Sequence, residues 1–205
     1  MAPKSYLPTK RKCPDVMKNN FSVRAYKAAH EQVWLNINEE SLYNAIDLIK
    51  QTYATGKKII TCGNGGSAAT ASHYITDWNK MVQIATGRPF RGVCLTDNVG
   101  LVTAYANDLA YSEIFVGQLA AIAEAGDLLI AVSGSGNSEN TIKALDYANR
   151  NGIKTLAVVG YDGGAMGPRA QRVVLVPSFD MQVCEDFHLI FGHLVMKSLC
   201  SCDIH

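Results

Sequence analysis

The sequence is short of charge and has no long apolar run. Charged residues make up 18% of the 205 residues, and the formal net charge is +1 at pH 7. So small a net charge gives no electrostatic reason to predict binding to nucleic acid or to acidic lipid. No apolar run approaches the roughly 20 residues of a membrane span, and no signal-peptide core follows Met1. We therefore expect no nucleic-acid or membrane partner and a cytoplasmic location.

The six cysteines are scattered and lack the paired spacing of a zinc ribbon. Several follow or lie within apolar runs, where a free cysteine behaves as a small apolar side chain. Cys200, Cys202 and His205 could together bind a metal, but chain ends fray and no further ligand is near in sequence. Reduced thiols, the usual state in the cytoplasm, are the interpretation we favour.

The first 19 residues contain three of the six prolines among basic residues, and we interpret residues 1–19 as a flexible N-terminal arm. The basic residues 10–12 in this arm are expected to be solvated. Residues 20–205 are expected to form a single domain, because 48% of the chain is hydrophobic and the length suits one substantial core.

Two helices are predicted between Phe21 and about Tyr53, where apolar residues recur at helical spacing. A break is expected over residues 36–40, and Ser41 could cap the second helix. Helices that precede the first strand have little sheet to cover. We therefore expect them to pack against another copy of the chain.

Short apolar runs alternate with helical segments in the rest of the chain. This alternation predicts an α/β fold in which a parallel sheet lies between two layers of helices. In such folds, ligands bind beyond the carboxyl ends of the strands. The loops expected at that edge are 63–67, 96–98, 133–138 and the one after Val176. The predicted strands are residues 58–61, 92–95, 127–132, 154–159 and 172–176. A helix is predicted directly after the loop 63–67, and the later predicted helices are residues 99–106, 111–125, 139–151 and 182–199.

A glycine-rich loop, Cys62-Gly-Asn-Gly-Gly-Ser67, joins the first strand to a helix. Such a turn presents unpaired backbone N–H groups to an anion. The same loop fits a relaxed dinucleotide fingerprint, Gly63-x-Gly65-x-x-Ala68. The acidic residue that ends the next strand, Asp97, is however far beyond the roughly 20 residues that this fingerprint expects. A nicotinamide cofactor is therefore the weaker interpretation.

The loop Ser133-Gly-Ser-Gly-Asn-Ser138 is the sharper signal for an anion. Ser133, Ser135 and Ser138 supply hydroxyl donors, and Gly134 and Gly136 allow the backbone to close round a ligand. The loop contains no lysine and the chain has no GxxxxGK[ST] pattern, which disfavours a nucleoside triphosphate. A cradle of hydroxyls and amides suits a phosphate monoester. The alternative is a purely structural helix cap within a Gly/Ser turn.

Two histidines and two carboxylates occupy helical positions that could bring them together. His73 and Asp77 are four residues apart on one face of a helix, and Glu185 and His193 share a face two turns apart on another, with His188 near that face. Together they would suit a divalent cation such as zinc. Taken singly, each histidine is more often packed than ligating, and spacing alone does not show that the two helices meet.

The chain resembles the sugar isomerase (SIS) domain family, and within it the phosphoheptose isomerases. The resemblance covers nearly all of residues 20–200 in order. The segments that carry it are Cys62-Gly-Asn-Gly-Gly-Ser67, His73, Thr96-Asp97, Ala106-Asn-Asp108, Ser133-Gly-Ser-Gly-Asn-Ser138, Gly160-Tyr-Asp-Gly-Gly164 and Glu185-Asp-Phe-His188 through His193.

The resemblance implies a flavodoxin-like, three-layer α/β fold with a five-stranded parallel sheet, and a homotetramer. It also implies an aldose–ketose interconversion of sedoheptulose 7-phosphate through an enediol. The phosphorylated sugar would contact Asn64, Gly65, Gly66, Thr96, Asp97, Ser133, Gly134, Ser135, Ser138 and Glu185. A divalent metal, zinc, would be bound by His73, Asp77, Glu185 and His193, and the catalytic residues would be Asp77, Glu185 and His193.

Two of these positions depart from the family's usual residues. The family usually has glutamate where this chain has Asp77, and glutamine where it has Glu185. An aspartate is one methylene shorter, about 1.5 Å, and a misplacement of about 1 Å can cost roughly a hundredfold in rate. Either the helix lies closer, or Glu185 has become the base, or the reaction differs. An isomerase of another phosphosugar, or a non-catalytic SIS protein that senses phosphosugars or binds a protein, therefore remain as alternatives.

Overall fold

The computed structural model describes residues 22–201, and the statements below refer to that part of the chain. Its centre is a five-stranded sheet in which every neighbouring pair of strands is parallel, as predicted. The strand order is β2-β1-β3-β4-β5. The predicted N-terminal arm lies outside the described residues, and so do Cys202 and His205 of the possible C-terminal metal site. The strands are β1 Ile59–Gly63, β2 Gly92–Cys94, β3 Leu128–Ser133, β4 Lys154–Val159 and β5 Arg172–Leu175.

Seven α-helices accompany the sheet within the described residues. They are α1 Val23–Asn36, α2 Glu39–Ala54, α3 Gly66–Thr86, α4 Val99–Asp108, α5 Val116–Ile122, α6 Glu139–Arg150 and α7 Met181–Cys200. Short 3-10 helices cover Tyr111–Glu113 and Gly167–Arg169. None of the helices in residues 22–201 is both long enough and apolar enough to span a membrane.

Two details of the predicted helices are wrong. The segment predicted as one helix over 111–125 is a 3-10 turn followed by the shorter α5, because Ile114 and Phe115 turn inward and are buried between them. The cap of α2 is Asn38 rather than Ser41. The Asn38 side chain accepts a hydrogen bond from the Ser41 backbone N–H at 3.0 Å, so the helix begins three residues earlier.

The sheet is buried on both faces, which explains why its central strands are apolar along their whole length. Helices α2, α3 and α7 contribute side chains to the core on one face, and α5 and α6 contribute to the core on the other. The expectation that both N-terminal helices have little sheet to cover is therefore wrong for α2, which buries Leu42, Ala45, Ile46 and Ile49 in the first of these cores. Helix α1 lies further out and buries only Val33.

The described cysteines are free, and three of the four are buried. Burial raises the pKa of the Cys62 thiol well above its ordinary range, so this thiol stays protonated and unreactive near neutral pH. The sequence-based interpretation of several cysteines as small apolar side chains agrees with the burial of Cys62, Cys94 and Cys184.

The strand order creates a crevice between β1 and β3. The chain leaves β1 towards β2 on one side, and returns to β3 on the other, so the connections diverge at this point. The loops that follow β1 and β3 are consequently neighbours at the carboxyl edge of the sheet. These are the two loops in which the sequence predicts anion binding.

Candidate active site

A cavity of about 310 Å³ lies between the loops after β1 and β3 and the start of α7. It brings together eight of the predicted substrate-binding residues. Ser67 and Met181 also line it, although the sequence analysis did not single out either residue as a ligand contact. The lining residues are Asn64, Gly65, Gly66, Ser67, Ser133, Gly134, Ser135, Ser138, Met181 and Glu185.

The serine hydroxyls of this cavity have capacity left for a ligand. Ser133 Oγ accepts the backbone N–H of Gly136 at 3.1 Å, and Ser135 Oγ accepts that of Asn137 at 3.3 Å. A hydroxyl that accepts from the backbone keeps its own hydrogen free to donate. Ser138 occupies the N-cap position of α6, yet its side chain makes no capping hydrogen bond. The purely structural explanation of this loop therefore fails for Ser138.

Glu185 approaches the backbone at the start of α3. A Cβ atom added at Gly66 would lie 2.3 Å from Glu185 Oε1, so no larger residue fits there without displacing the carboxylate. The preceding Gly65 has φ +55°, a left-handed conformation that favours glycine. The two glycines thus allow a tight turn and the close approach of a carboxylate to the first turn of a helix, where negative charge is favoured.

Thr96 and Asp97 lie apart from the other predicted contacts. Both follow β2, which is the edge strand beyond β1, and neither is among the residues that line the cavity. The Thr96 hydroxyl lies 2.9 Å from Cys94 Sγ, and Asp97 is exposed. Their contact with a sugar remains a prediction.

Helices α3 and α7 are locked together by large side chains of α3 that pack on α7. The Tyr74 hydroxyl donates to the backbone carbonyl of His188, and Trp78 Nε1 donates to that of Gly192 at 3.0 Å. Tyr74 and Trp78 are fully buried and stack at 4.9 Å between ring centroids. A Cβ atom at Gly192 would lie 2.3 Å from Tyr74 Cε1, so glycine permits this close contact between the helices.

The same pair of helices brings His73, Asp77 and His193 together. His73 Nε2 lies 3.3 Å from Asp77 Oδ2, His193 Nε2 lies 3.8 Å from the same oxygen, and the two Nε2 atoms are 3.2 Å apart. All three side chains are partly exposed, at 42%, 27% and 45% for His73, Asp77 and His193. The sequence predicted these three residues as ligands, but it could not show that the helices meet.

These separations fit a small divalent cation. Ligand atoms about 2.0–2.1 Å from a tetrahedral zinc ion lie about 3.3 Å from one another, close to the 3.2, 3.3 and 3.8 Å found here. Two imidazoles and a carboxylate are also a donor set that zinc accepts. Glu185 lies outside this group of three, which contains only His73, Asp77 and His193 among the described residues. Its carboxylate lines the cavity instead.

His188 lies on α7 between Glu185 and His193 but belongs to the protein interior. Its side chain is fully buried, and this burial lowers the pKa of its imidazole to about 4. The ring is therefore neutral near pH 7 and lies apart from both the cavity and the histidine–aspartate group. Its proximity in sequence to the predicted ligands reflects helical spacing only.

Sequence reasoning missed two residues that contact Asn64. Asn140 exchanges two hydrogen bonds with the Asn64 amide, and the Tyr111 hydroxyl donates a third. The only available signal for Asn140 was a polar residue two positions after Ser138, at the start of a helix. Nothing in the local pattern pointed to Tyr111, because its position depends on how the chain returns after α4.

The chain is similar to proteins of known family. The family model described as SIS domain matches residues 24–160. The phosphoheptose isomerase of Chlorobaculum tepidum is 38% identical over 152 residues, which are 73% of this chain and 73% of the relative. That of Aliarcobacter butzleri is 37% identical over 172 residues, covering 82% and 90%. The solved structure of phosphoheptose isomerase from Neisseria gonorrhoeae has a TM-score of 0.80 and 30% identity, and covers 88% of this chain and 97% of that one.

Proposed function

The chain belongs to the phosphoheptose isomerases of the SIS domain family, and we propose from this that it catalyses the aldose–ketose isomerisation of sedoheptulose 7-phosphate. The observation that carries the proposal is that two chemically different groups, the serine-lined cavity and the histidine–aspartate group, lie beside the same pair of helices. A hydroxyl-lined cavity lies where α3 and α7 begin, and the His73–Asp77–His193 group lies further along the same two helices.

The spacing of these groups suits a long sugar phosphate. His193 follows Glu185 by eight residues, and at a rise of 1.5 Å per residue it lies about 12 Å along α7. An extended chain from the phosphorus to C2 of a seven-carbon sugar spans roughly 9 Å, from ordinary bond lengths. A sugar phosphate of this length would extend from the cavity along α7 towards the histidines.

The serine loop would bind the phosphate. Ser133, Ser135 and Ser138 would donate hydrogen bonds from their hydroxyls to the phosphate. The first backbone N–H groups of α6, at the positive end of the helix dipole, would donate further hydrogen bonds. Asn64, Gly65 and Gly66 would contact the body of the sugar, and Thr96 and Asp97 remain further predicted contacts. Gly134 leaves room for Met181, because a Cβ atom there would lie 2.2 Å from Met181 Sδ.

Isomerisation needs a base that removes a proton beside the carbonyl and an acid that serves the oxygen. We propose that Asp77 or Glu185 acts as the base and that His193 acts as the acid, since Asp77 lies among the histidines and Glu185 lines the cavity. His73, Asp77 and His193 would bind a divalent metal, zinc. Glu185 would become the fourth metal ligand if its side chain rotated towards them. A bound metal ion would polarise the oxygens of the substrate.

An assay with sedoheptulose 7-phosphate, with and without added zinc, tests the proposal. We expect formation of the aldoheptose 7-phosphate, with higher rates in the presence of zinc. Absence of turnover under both conditions would contradict the function.

A second candidate, an isomerase for another phosphosugar, is favoured by one observation. The chain carries Asp77 and Glu185 where the family usually has glutamate and glutamine, and Glu185 lines the cavity. A panel of phosphorylated ketoses of five to seven carbons would reveal a preferred substrate other than the heptose. A non-catalytic role is disfavoured, because the two histidines and both carboxylates are retained.

We also propose that the protein is a cytoplasmic homotetramer. The support for the oligomer is the outer helix α1, whose Val23 and Leu35 are 72% and 76% exposed and whose Trp34 is 48% exposed. Apolar side chains so exposed on one helix favour burial against another copy. Sedimentation equilibrium would show a mass of four chains, and a monomer would contradict the proposal.

A further inference from the structure

Asn64 is part of a hydrogen-bonded cluster with Asn140 and Tyr111. The two amides face each other, because Asn64 Nδ2 donates to Asn140 Oδ1 at 2.8 Å and Asn140 Nδ2 donates to Asn64 Oδ1 at 2.9 Å. The Tyr111 hydroxyl donates to the same Asn64 Oδ1 at 2.8 Å. Asn140 is 2% exposed, so its hydrogen bonds are made out of contact with solvent.

The orientation of both amides follows from a backbone group that can only donate. The N–H of Thr141 donates to Asn140 Oδ1 at 2.9 Å, which fixes the oxygen of that amide. Asn140 Nδ2 must then face Asn64, and since an amide nitrogen only donates, the atom opposite must be Asn64 Oδ1. The orientation of the Asn64 amide is therefore determined by the backbone of α6.

This orientation leaves Asn64 with one type of interaction to offer a ligand. A carbonyl oxygen has two lone pairs, and both lone pairs of Asn64 Oδ1 are used by Asn140 and Tyr111. Its Nδ2 has two hydrogens, of which one is used by Asn140. The remaining group is a single N–H, so the Asn64 side chain can donate to a ligand oxygen but cannot accept from a ligand hydroxyl.

Packing alone does not hold the Asn64 side chain. Asn64 and Ser138 both line the 310 Å³ cavity and also a neighbouring cavity of about 390 Å³, which Tyr111 and Asn140 line as well. A side chain with open space on both sides keeps its rotamer through hydrogen bonds rather than through contact. Removal of Asn140 would free Asn64 to turn into the neighbouring cavity.

We propose that Asn140 and Tyr111 are positioning residues that hold Asn64 as an N–H donor to an oxygen of the phosphosugar. The inference rests on the proposed function for the identity of the ligand, but the hydrogen-bonded geometry does not depend on it. Asn140 and Tyr111 act through Asn64 and need not touch the substrate.

A double-mutant cycle in kcat/KM tests this dependence. We expect Asn140→Ala to lower kcat/KM by about tenfold to a hundredfold, as misplaced contacts do. The double variant Asn64→Ala/Asn140→Ala should be no worse than Asn64→Ala alone. Asn149→Ala is the matched control, because Asn149 also hydrogen-bonds from α6 but contacts Arg169 and Thr155 instead. Additive losses, or an Asn140→Ala variant as active as the control, would overturn the proposal.

A second readout does not depend on activity. In the free protein, the side-chain amide resonances of Asn64, assigned with Asn64→Ala, should shift in Asn140→Ala and, by less, in Tyr111→Phe. Tyr111 is 58% exposed, so the latter variant should fold as the parent does. Unchanged Asn64 resonances in both variants would overturn the positioning role. If the parent fails to convert sedoheptulose 7-phosphate while the resonances shift, the proposed function fails and the positioning role stands.

Discussion

The serine loop and the His73–Asp77–His193 group are built in different ways. The loop is one contiguous segment, Ser133–Ser138, in which the hydroxyls of Ser133 and Ser135 are held by backbone N–H groups two or three residues away. The three side chains of the histidine–aspartate group come from two helices, with His73 and His193 separated by 120 residues of sequence. The first region depends on local geometry, and the second depends on how α3 packs against α7. Substitutions should therefore affect the two regions independently.

The largest effect is expected from His193→Asn. General acid–base catalysis contributes about 10²–10⁴-fold, so kcat should fall by about a thousandfold, and the zinc content per chain should fall with it. Binding of inorganic phosphate, followed by calorimetry, should remain as in the parent because the serine loop is untouched. A variant that retains both zinc and full activity would show that His193 has no role in the reaction.

The next largest effect concerns the packing of α3 against α7. Gly192→Ala places a Cβ atom against the Tyr74 ring, and overpacking of this kind costs about 1–3 kcal/mol in the free energy of unfolding. We expect kcat to fall by on the order of a hundredfold because the histidines are displaced. Urea unfolding and steady-state kinetics measure the two effects.

Gly167→Ala is the control for that substitution. A Cβ atom at Gly167 would meet no other atom within 4 Å, so this variant should match the parent in stability and in kcat. Equal behaviour of the two glycine variants would mean that the contact between Tyr74 and Gly192 does not set the position of the histidines.

A smaller effect, confined to the other region, is expected from Ser135→Ala. A hydrogen bond to a charged group contributes about 1.5–3 kcal/mol, so the Kd for inorganic phosphate should rise by roughly tenfold to a hundredfold. Zinc content and the unfolding midpoint should not change. A change in zinc content would show that the loop and the histidine–aspartate group are not independent.

The smallest effect on activity is expected from His188→Phe, which tests whether His188 belongs to either region. The pKa of His188 is lowered to about 4 by burial in the native state, against 6.5 for an ordinary histidine. Below pH 6.5 the unfolded chain therefore binds more protons than the native one, and stability falls as the pH drops from about 6.5 towards 4.

The loss amounts to at most roughly 3–4 kcal/mol, since one pKa unit corresponds to about 1.4 kcal/mol. His188→Phe should remove this part of the acid sensitivity while kcat at pH 7.5 stays close to that of the parent. Urea unfolding at pH 7 and at pH 4.5 measures the difference. If the variant loses as much stability at low pH as the parent, a titrating group other than His188 causes the loss.

The two regions also differ in how far the sequence predicted them. The serine loop and the strands were predictable, because apolar runs and glycine-rich turns are local signals, and β4 was predicted with its observed bounds. The resemblance indicated that His73 and His193 act together, whereas their spacing could not. That meeting depends on Tyr74, Trp78 and Gly192, whose roles appear only when α3 and α7 are packed. The Asn140–Asn64 pair was unpredictable for the same reason.

Trp78 gives this protein a built-in optical probe. The chain has only two tryptophans, and Trp78 is fully buried directly after Asp77, with its indole nitrogen bonded to Gly192 of the facing helix. The second, Trp34, is 48% exposed on α1. With Trp34 replaced by phenylalanine, the remaining tryptophan fluorescence would come from Trp78 alone, at the interface between α3 and α7. Its emission would change if α3 and α7 separated. A titration with zinc could be followed by the same emission without any label.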